Sequence, residues 1–423
     1  MKTLPLSQQL EQLKESLLSE RQEGAPLEGL LRRAGKMVIE ELLQGEVADA
    51  LGRESYERRE NQAPAGYRNG YKTRRVKTGE GAITVEVPQV RGREDFASRL
   101  WPLIKQASPA LEKMVIEMYA RGLSTRDIEE LLKTLSPEEL EGRPLLSRSA
   151  VSEVTDALLE EHNAFVERDL AGHDVVYLFA DAVFESLRAQ GCRQAILVTW
   201  GICIDGAKVL LHLSVGNKES ADAWTEHFRS LVKRNMKSPL TITTDGAPGL
   251  IKAAEGMWPE SSRIRCWFHK MKNVLEKVPE NMHGPIKALL QDVREAPDHA
   301  TGEKRARELI RDYGQTLPAA MACLEEDLQA SLEHLKLPLA HRKCVRTTNL
   351  CERSFVEERR RAKVIPRFRS EQECMKLVYA SLIRASARWQ RVRFTTFEKE
   401  SLKEYIEKQR KLGKQARDLL PAA

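Results

Sequence analysis

Three closely spaced runs of strand-forming residues in the middle of the chain constrain its fold more than any other feature. The runs VVYLFADAVFESLR, AILVTWGICI and KVLLHLSVG begin at Val175, Ala195 and Lys208, and Val, Leu, Ile and aromatic side chains dominate each of them. Only short polar links separate the runs. They therefore predict three consecutive β-strands.

Helices and strands alternate after the third run. The pattern predicts a helix in ADAWTEHFRSLVKRN, a fourth strand in LTITTDG, a helix in GLIKAAEGMW and a fifth strand in RIRCWF. Three strands followed by helix, strand, helix, strand is the order of a ribonuclease-H-like α/β core with a mixed sheet. From Phe268 to about Lys343 the pattern is helical throughout, which predicts an all-α insertion in that core before the helix TTNLCERSFVEERRRAKVIPRF.

The region of the chain before these strands is predicted to be mainly helical and to bind DNA. GLSTRDIEELL and SRSAVSEVTDALL each begin with a capping signal and resemble a helix-turn-helix, although a plain helical pair explains them equally well. A Gly- and Pro-rich stretch with the alternating run Ile83, Val85, Val87 predicts loops and a hairpin. The predicted regions are an N-terminal helical region (1–60), a Gly-rich basic linker (61–108), a helix-turn-helix-like region (109–170), a first core segment (171–268), the helical insertion (269–343) and a second core segment (344–423).

Composition excludes several classes of protein. The seven cysteines are scattered without a CxxC pair, which argues against a disulfide scaffold or a four-thiolate zinc site. The N-terminal segment is charged, and no run of about 18 uncharged apolar residues occurs, so neither secretion nor a membrane span is predicted. We expect a soluble cytoplasmic protein that associates with the nucleoid when bound to DNA.

Two aspartates occupy sheet positions where a carboxylate needs a partner. Asp181 stands inside the first apolar run, where an unpaired carboxylate would be costly to desolvate. Asp245 ends the fourth strand, before Gly246, where ligands gather in α/β sheets. The two strands are neighbours in a ribonuclease-H-like sheet, so we expect the two aspartates to lie close together.

Glu352 lies on the helix that follows the predicted insertion, and in such a core this helix packs back across the sheet near the first strand. The three carboxylates can then converge. Hard divalent cations take oxygen ligands, so the set predicts a phosphoryl-transfer site for two Mg²⁺ or Mn²⁺ ions. An acidic triplet alone is weak evidence in a chain with 62 Asp and Glu residues; the placement on predicted elements supports the hypothesis.

Several blocks of the sequence resemble one family. YLFADAVFESLR, TTDGAPGLIKAAEGMWP, RIRCWFHKMKNVLEKVP and TTNLCERSFVEERRRAKVIPRF are similar to signature blocks of the Mutator-family transposases encoded by bacterial insertion sequences. MYARGLSTRDIEELL and GYRNGYKTRRVKTGEGAITVEVPQVR resemble the same family. The resemblance therefore covers nearly the whole chain in the expected order.

This resemblance implies a DDE transposase whose N-terminal region recognises terminal inverted repeats. Asp181, Asp245 and Glu352 match the family's D, D, E triad, and the TTN before Glu352 favours it over the neighbouring Glu357 and Glu358 as the third ligand. The family also carries a Cys or Asp, two residues, then His, which Cys266 and His269 match on the predicted fifth strand and its exit. Two such residues are too few for a closed zinc site. Either they pack and bond locally, or His269 contacts the scissile phosphate or orders the insertion.

Two basic stretches suit contact with phosphates. Ten Lys and Arg against three Glu lie between His341 and Ser370, and eight against three lie between Arg53 and Lys77. A solvated face is the ordinary explanation of such runs. The candidate DNA-binding residues are Arg68, Lys72, Arg74, Arg75, Arg359, Arg360, Arg361 and Lys363.

The leading hypothesis is an active transposase that cleaves and joins DNA strands at the ends of an insertion sequence. Its partners would be double-stranded DNA, from the element ends and the target, and further copies of itself in a homodimer or larger assembly. A ribonuclease-H-like nuclease or resolvase that cuts without joining is one alternative. A DNA-binding regulator without catalytic activity is another.

Overall fold

The computed structural model describes residues 11, 15, 27–55, 57, 66–78, 81–105, 108–134, 144–186, 193–216, 220–363, 365, 367–387 and 389–418. The chain divides into two compact units, Met1–Asp156 and Ala157–Ala423. The sequence pattern had set the start of the core at residue 171. The helix before it, α6 (Ala157–Glu167), belongs to the second unit, because it packs on a C-terminal helix of that unit.

In the described part of the first unit, a long helix packs on a hairpin. Helix α1 (Leu27–Leu51) covers the antiparallel strands β1 (Tyr67–Thr78) and β2 (Gly81–Arg91). Their common core contains Leu43, Val76, Ile83, Val85 and Val87. The alternating run of the sequence therefore forms one strand of a two-stranded sheet. The Gly-rich basic segment before it forms the other strand rather than a loop, with a shift of register between Arg68 and Tyr71.

The described residues after this hairpin in the first unit form the shorter helices α2 (Trp101–Ile104), α3 (Pro109–Ala120), α4 (Thr125–Thr134) and α5 (Arg148–Thr155). The predicted caps are present, since Ser124 and Asp127 bond reciprocally and Ser147 accepts from the N–H of Ala150. Helices α4 and α5 pack together. Residues 135–147 connect them, which is longer than the turn of about three or four residues in a helix-turn-helix.

The second unit contains a five-stranded mixed sheet with the order β5-β4-β3-β6-β7. Strands β3 (Val175–Ser186), β4 (Arg193–Cys203) and β5 (Lys208–Gly216) are antiparallel, whereas β6 (Thr241–Thr244) and β7 (Ser262–Arg265) run parallel to β3. Helices α7 (Ala221–Lys233) and α8 (Pro248–Met257) connect them. The predicted succession of strands and helices is thus present.

A hydrophobic core joins the sheet to these connecting helices. Trp224 and Phe228 of α7 and Leu250 of α8 pack against buried strand residues such as Leu178 and Ile242. Because both helices lie in crossovers between parallel strands, they fix β6 beside β3. This packing determines which strand ends meet.

Every regular element that the structure describes after β7 is helical. The elements are α9 (Trp267–Leu275), α10 (His283–Arg294), α11 (His299–Tyr313), α12 (Pro318–Glu325), α13 (Leu328–Leu332), α14 (Leu339–Val345), α15 (Asn349–Ala362), α16 (Glu371–Ser386) and α17 (Thr396–Asp418), with short 3-10 helices at Glu280–Met282 and Glu333–Lys336. Helices α9 to α13 share a core of their own, which includes Trp267 and Leu290. Helix α15 packs on β3 and β4, and it thereby brings its first turn to the sheet.

The predicted fifth strand is shorter than expected. It ends at Arg265, Cys266 takes the position before the first turn of α9, and Trp267 to Leu275 are helical. Cys266 and His269 therefore lie at a helix start and not on a strand, because the N–H of Lys270 bonds to the carbonyl of Cys266 and closes a helical turn. Within the described residues, no helix is long and apolar enough to cross a membrane.

Candidate active site

Asp181 lies within the central strand of the larger sheet. Its backbone pairs with Val198 on β4, and its side chain is nearly buried, with 8% of the residue exposed. The apolar residues before it on β3 are buried in the core, and Asp181 is the first charged residue that follows them on the strand. Oδ1 accepts a hydrogen bond from the N–H of Ala182 at 2.9 Å.

Asp245 follows directly after the buried strand β6. In the parallel register of β3 and β6, Ala180 is opposite Thr244, so the two aspartates each come one residue after a paired position. Asp245 Oδ1 accepts from the N–H of Ala247 at 3.0 Å, which holds the carboxylate over the start of α8. The expectation that the two aspartates are neighbours agrees with this register.

Glu352 lies in the first turn of α15. The hydroxyl of Thr348 donates to its Oε1 at 3.2 Å, and Nε2 of His269 lies 3.8 Å from the same oxygen. The side chain of Glu352 is 27% exposed. It is therefore accessible from solvent while one of its oxygens is held.

The three carboxylates act on one another electrostatically. Burial raises the pKa of Asp181 to about 7, and the negative charges of Asp245 and, to a smaller extent, Glu352 raise it too. The Ala182 N–H and the charge of His269 act in the opposite direction. The charges of Asp245 and Glu352 therefore disfavour the ionised form of Asp181.

Cys266, His269 and Glu352 form a second group of potential ligands that overlaps the first. One ligand atom from each lies within 4.8 Å of the others. A hydrogen bond with Cys266 raises the pKa of His269 to about 8 against the opposing effect of burial. Burial raises the pKa of the Cys266 thiol, but the hydrogen bond and charge of His269 outweigh this and lower it. His269 thus connects the cysteine to the carboxylates.

The two alternatives to Glu352 have other surroundings. Glu357 accepts from Arg360 and Arg361, each at 2.8 Å. Glu358 is fully buried, and its pKa is raised to about 8 by burial and by the charge of Glu185. Neither shares the space around Asp181, which favours Glu352.

The basic residues of α15 differ in their availability to DNA. Arg359, Arg360 and Lys363 are exposed, whereas Arg361 is partly buried and its Nη1 also donates to the carbonyl of Glu357 at 2.7 Å. Arg359 and Lys363 have no carboxylate within 4.0 Å among the described residues. Among the described residues, these two are therefore less engaged in ion pairs than Arg360 and Arg361.

The basic residues of the first unit lie on β1. Lys72 and Arg74 are exposed, as are the aromatic rings of Tyr67 and Tyr71, and Arg75 is partly exposed. Arg68 is different, because its Nη1 donates to the backbone carbonyls of Arg53 and Glu54 at 3.2 Å. Within the described residues of this unit, no carboxylate forms an ion pair with Lys72, Arg74 or Arg75.

Two contributors to this site were missed by sequence reasoning. Thr348 was considered only as a helix cap, yet its hydroxyl makes no cap bond; it donates to Glu352 and lies 3.5 Å from Cys266 Sγ. Arg265 was read as an ordinary strand residue, yet it is buried beside the turn of Asp245. The available signal in the sequence was an arginine at the end of a short predicted strand, in the run RIRC.

A mixed sheet with helical crossovers defines an α/β protein, and its candidate site has one acid within β3 and another directly after the adjacent β6. Comparison with known proteins identifies the group. A family model described as "Transposase, Mutator family" matches residues 7–392, and the chain belongs to this family. The resemblance noted in the sequence is thereby confirmed.

Individual relatives agree with the family match. The chain is 31% identical over 364 residues to the transposase for insertion sequence element ISRM5 of Rhizobium meliloti (strain 1021), covering 85% of this chain and 88% of that protein. It is 32% identical over 275 residues to the transposase for IS6120 of Mycolicibacterium smegmatis, covering 65% and 84%. The transposase for IS256 in transposon Tn4001 of Staphylococcus aureus is 26% identical over 360 residues, covering 83% and 89%. The chain is accordingly a DNA transposase that acts in transposition.

Proposed function

We propose that this transposase is of the DDE type. Asp181, Asp245 and Glu352 bind two divalent cations, Mg²⁺ or Mn²⁺, and the protein cleaves a strand at the terminal inverted repeats of its element and joins the freed 3′-hydroxyl to target DNA. The observation that carries the proposal is the placement of the three acids: Asp181 and Asp245 each follow a paired position on adjacent parallel strands, and α15, which carries Glu352 in its first turn, packs on β3. It acts on DNA in the bacterial cytoplasm.

The strand order supports a ribonuclease-H-like core. Three antiparallel strands are extended beyond β3 by two parallel strands, with helices in the crossovers. The helices from α9 to α14 stand between the last strand and α15, where an insertion in that core was predicted. In this assignment the acidic site lies at the carboxyl end of the parallel strands, where open α/β sheets bind ligands.

The residues fit divalent ions. Carboxylate oxygens are the ligands that Mg²⁺ prefers, and a cation beside Asp181 would favour the ionised form that burial and the charge of Asp245 disfavour. When bound, such ions activate the attacking water or hydroxyl and stabilise the leaving oxygen.

The protein's own groups hold the carboxylates in place. The N–H groups of Ala182 and Ala247 each fix one oxygen of an aspartate, and the Thr348 hydroxyl fixes one oxygen of Glu352. Because these donors belong to a strand, a helix start and a helix, the geometry is set before DNA arrives. His269 lies against Glu352, and its charge favours the ionised form of Asp181.

Exposed cations supply the contacts with DNA. Arg359 and Lys363 follow Glu352 on α15, where a strand entering the site would pass, and Lys72 and Arg74 stand on β1 with exposed tyrosines. Such residues neutralise phosphates and position the duplex without reading its bases. Two element ends must be brought together, so we propose that the protein works as a dimer or larger assembly on DNA.

The test is a cleavage and joining assay on DNA that carries the inverted repeats flanking the coding region. Asp181→Asn and Asp245→Asn are expected to lower the rate of cleavage in Mg²⁺ by roughly 1000-fold or more. The matched control is Asp205→Asn, because Asp205 is an exposed carboxylate, 53% accessible, paired with Arg391 at 3.3 Å.

Three outcomes would contradict the proposal. Full activity of Asp181→Asn or Asp245→Asn would exclude the metal site. Hydrolytic nicks that are never joined would indicate a nuclease. Unchanged biological activity of a variant lacking all three carboxylates would indicate a DNA-binding regulator.

A further inference from the structure

Arg265 is a buried cation beside the proposed catalytic carboxylates. It is the last residue of β7, in parallel register with Thr244, and only 5% of it is exposed. Its nearest carboxylate is that of Asp327, with Oδ2 at 3.9 Å from Nε, and its Nη1 has no hydrogen-bond partner among the described residues. A cation so incompletely paired is costly to bury, so its position calls for an explanation.

The guanidinium lies directly against the turn that carries Asp245. Gly246 has φ of +95°, and a Cβ added there would lie 2.1 Å from Cζ of Arg265. A glycine is therefore required twice, by the left-handed backbone and by the close approach of the guanidinium. The flat side chain of Arg265 occupies the space that any larger residue at 246 would fill.

Away from the Asp245 turn, Arg265 contacts the helical segment, by which we mean helices α9 to α13. Asp327, at the start of α13, has φ of +60°, and its Oδ1 accepts from Nη2 of Arg263 at 2.6 Å, while its Oδ2 faces Arg265. Asn273 of α9, with its amide oriented to satisfy both ends, accepts from Nη2 of Arg265 at 3.3 Å and donates to the carbonyl of His269 at 3.1 Å. One guanidinium thus contacts three elements.

We propose that Arg265 is a positioning residue that transmits the placement of the helical segment to Asp245. Held by Asp327 and Asn273, it buttresses the Asp245–Gly246 turn and sets the direction of the Asp245 carboxylate toward Asp181. The inference rests on the proposed function, since it assigns Asp245 a catalytic role. It adds that the helical segment belongs to the machinery that shapes the site.

The contact itself is tested by a double-mutant cycle on stability, without metal or DNA. Gly246→Ala is expected to lower the urea midpoint of unfolding clearly in the wild type and by less than half as much in an Arg265→Ala background, because the clash is then relieved. The control is Gly256→Ala in α8, where an added Cβ meets nothing within 4 Å. That control should raise the midpoint by the same amount in both backgrounds, because alanine favours a helix more than glycine does. An equal shift in the two backgrounds for Gly246→Ala as well would overturn the contact.

The positioning role is tested by separating binding from chemistry. Arg265→Ala is expected to lower cleavage about 10- to 100-fold, while its affinity for the element ends stays within about twofold of wild type. Binding of Mn²⁺, followed by electron paramagnetic resonance, should weaken in the same variant. Arg265→Lys should recover some of both losses, and Asp327→Asn, which keeps the shape of the side chain, should show a smaller loss than Arg265→Ala.

The outcomes separate this inference from the proposed function. If Asp245→Asn is inactive while folded Arg265→Ala and Gly246→Ala cleave and bind Mn²⁺ like Gly256→Ala, the positioning role is overturned and the proposed function stands. If Asp245→Asn is fully active, both are overturned. A loss of affinity for DNA as large as the loss of cleavage would assign Arg265 to DNA binding instead.

Discussion

Strand β3 and helix α15 carry two groups of acidic residues, and the two groups deal with the same electrostatic problem differently. At one group Asp181 and Glu352 share a space with Asp245 and His269. At the other, Glu185 and Glu358 lie together. The Glu352 side chain is 27% exposed, whereas Glu358 is fully buried.

The difference shows that a concentration of carboxylates does not by itself define a site. Burial and the charge of Glu185 raise the pKa of Glu358 to about 8, so the pair Glu185–Glu358, called the sealed pair below, keeps a proton at neutral pH. The group around Asp181 is open on the side of Glu352 and has a histidine beside it. Accessibility is therefore what makes one group suitable for cations and the other a structural contact.

The strongest test of this comparison exchanges a carboxylate for an amide at each group in turn. Glu352→Gln is expected to lower DNA cleavage roughly 1000-fold because it removes a proposed metal ligand. Glu358→Gln, on the same helix, is expected to change cleavage less than about threefold, since a neutral amide resembles the protonated acid. Cleavage of labelled element ends under single-turnover conditions measures both.

If Glu358→Gln lost more cleavage activity than Glu352→Gln, the distinction between the two acidic groups would be wrong. A severe loss in Glu358→Gln with a stable fold, and near-normal activity in Glu352→Gln, would transfer the third ligand to Glu358. Thermal unfolding of each variant separates this result from misfolding.

The second prediction concerns stability against pH. The pKa of Glu358 is raised from 4.5 to about 8 in the folded protein, so the native state binds more protons than the unfolded state between these values. The contribution of Glu358 is then fully present below about pH 4.5 and is lost as pH rises through 8. Relative to Glu358→Gln, the wild type should lose up to about 5 kcal/mol of unfolding free energy across this window, because each unit of pKa shift corresponds to about 1.4 kcal/mol.

Urea unfolding of wild type and Glu358→Gln at several pH values measures the difference, with Asp205→Asn as the control. Parallel curves for wild type and Glu358→Gln would mean that Glu358 is ionised in the folded protein. The sealed pair would then need a cation just as the open group does.

Sequence reasoning succeeded where local pattern is sufficient. The apolar runs predicted β3 to β7 in order, and the placement of Asp181 and Asp245 on adjacent strands followed from that order. The prediction was wrong where tertiary contacts decide the structure of a short segment. The run RIRCWF continues the strand pattern, but the ring of Trp267 is buried among the helices after β7, and its N–H donates to the Ser331 carbonyl at 2.6 Å. The chain therefore becomes helical from Trp267.

Contacts between distant residues were also beyond the sequence. No pattern in the sequence near Arg265 predicts its contact with Asp327. The partners of Glu358 and Thr348 depend on how α15 packs on the sheet. The Gly-rich basic segment read as a loop because glycine and charge weaken a strand pattern, whereas pairing with β2 makes it a strand.

A smaller effect is expected at the third acid of the same helix. Glu357 belongs to neither group, because it is paired with Arg360 and Arg361 one turn away. Partly exposed pairs of this kind contribute about 0.3 to 0.5 kcal/mol each. Glu357→Gln should therefore lower the unfolding free energy by less than about 1 kcal/mol and leave cleavage unchanged. A large loss of cleavage in a folded Glu357→Gln protein would place Glu357 in the open group and remove the distinction drawn above.

The smallest effect on stability is expected at Arg359, which adjoins the sealed pair and is also a candidate phosphate ligand. Its charge lowers the pKa of both Glu185 and Glu358, but the side chain is exposed, so Arg359→Gln should change the unfolding free energy by less than about 0.5 kcal/mol. If its role is to contact DNA, the same variant should reduce the slope of log affinity against log salt by about 0.9. Fluorescence anisotropy on the element ends at several salt concentrations measures this slope. An unchanged slope would mean that Arg359 does not contact DNA. If the pH at which Glu358 loses its stabilising effect also shifts in this variant, Arg359 acts on the sealed pair and not on the group around Asp181.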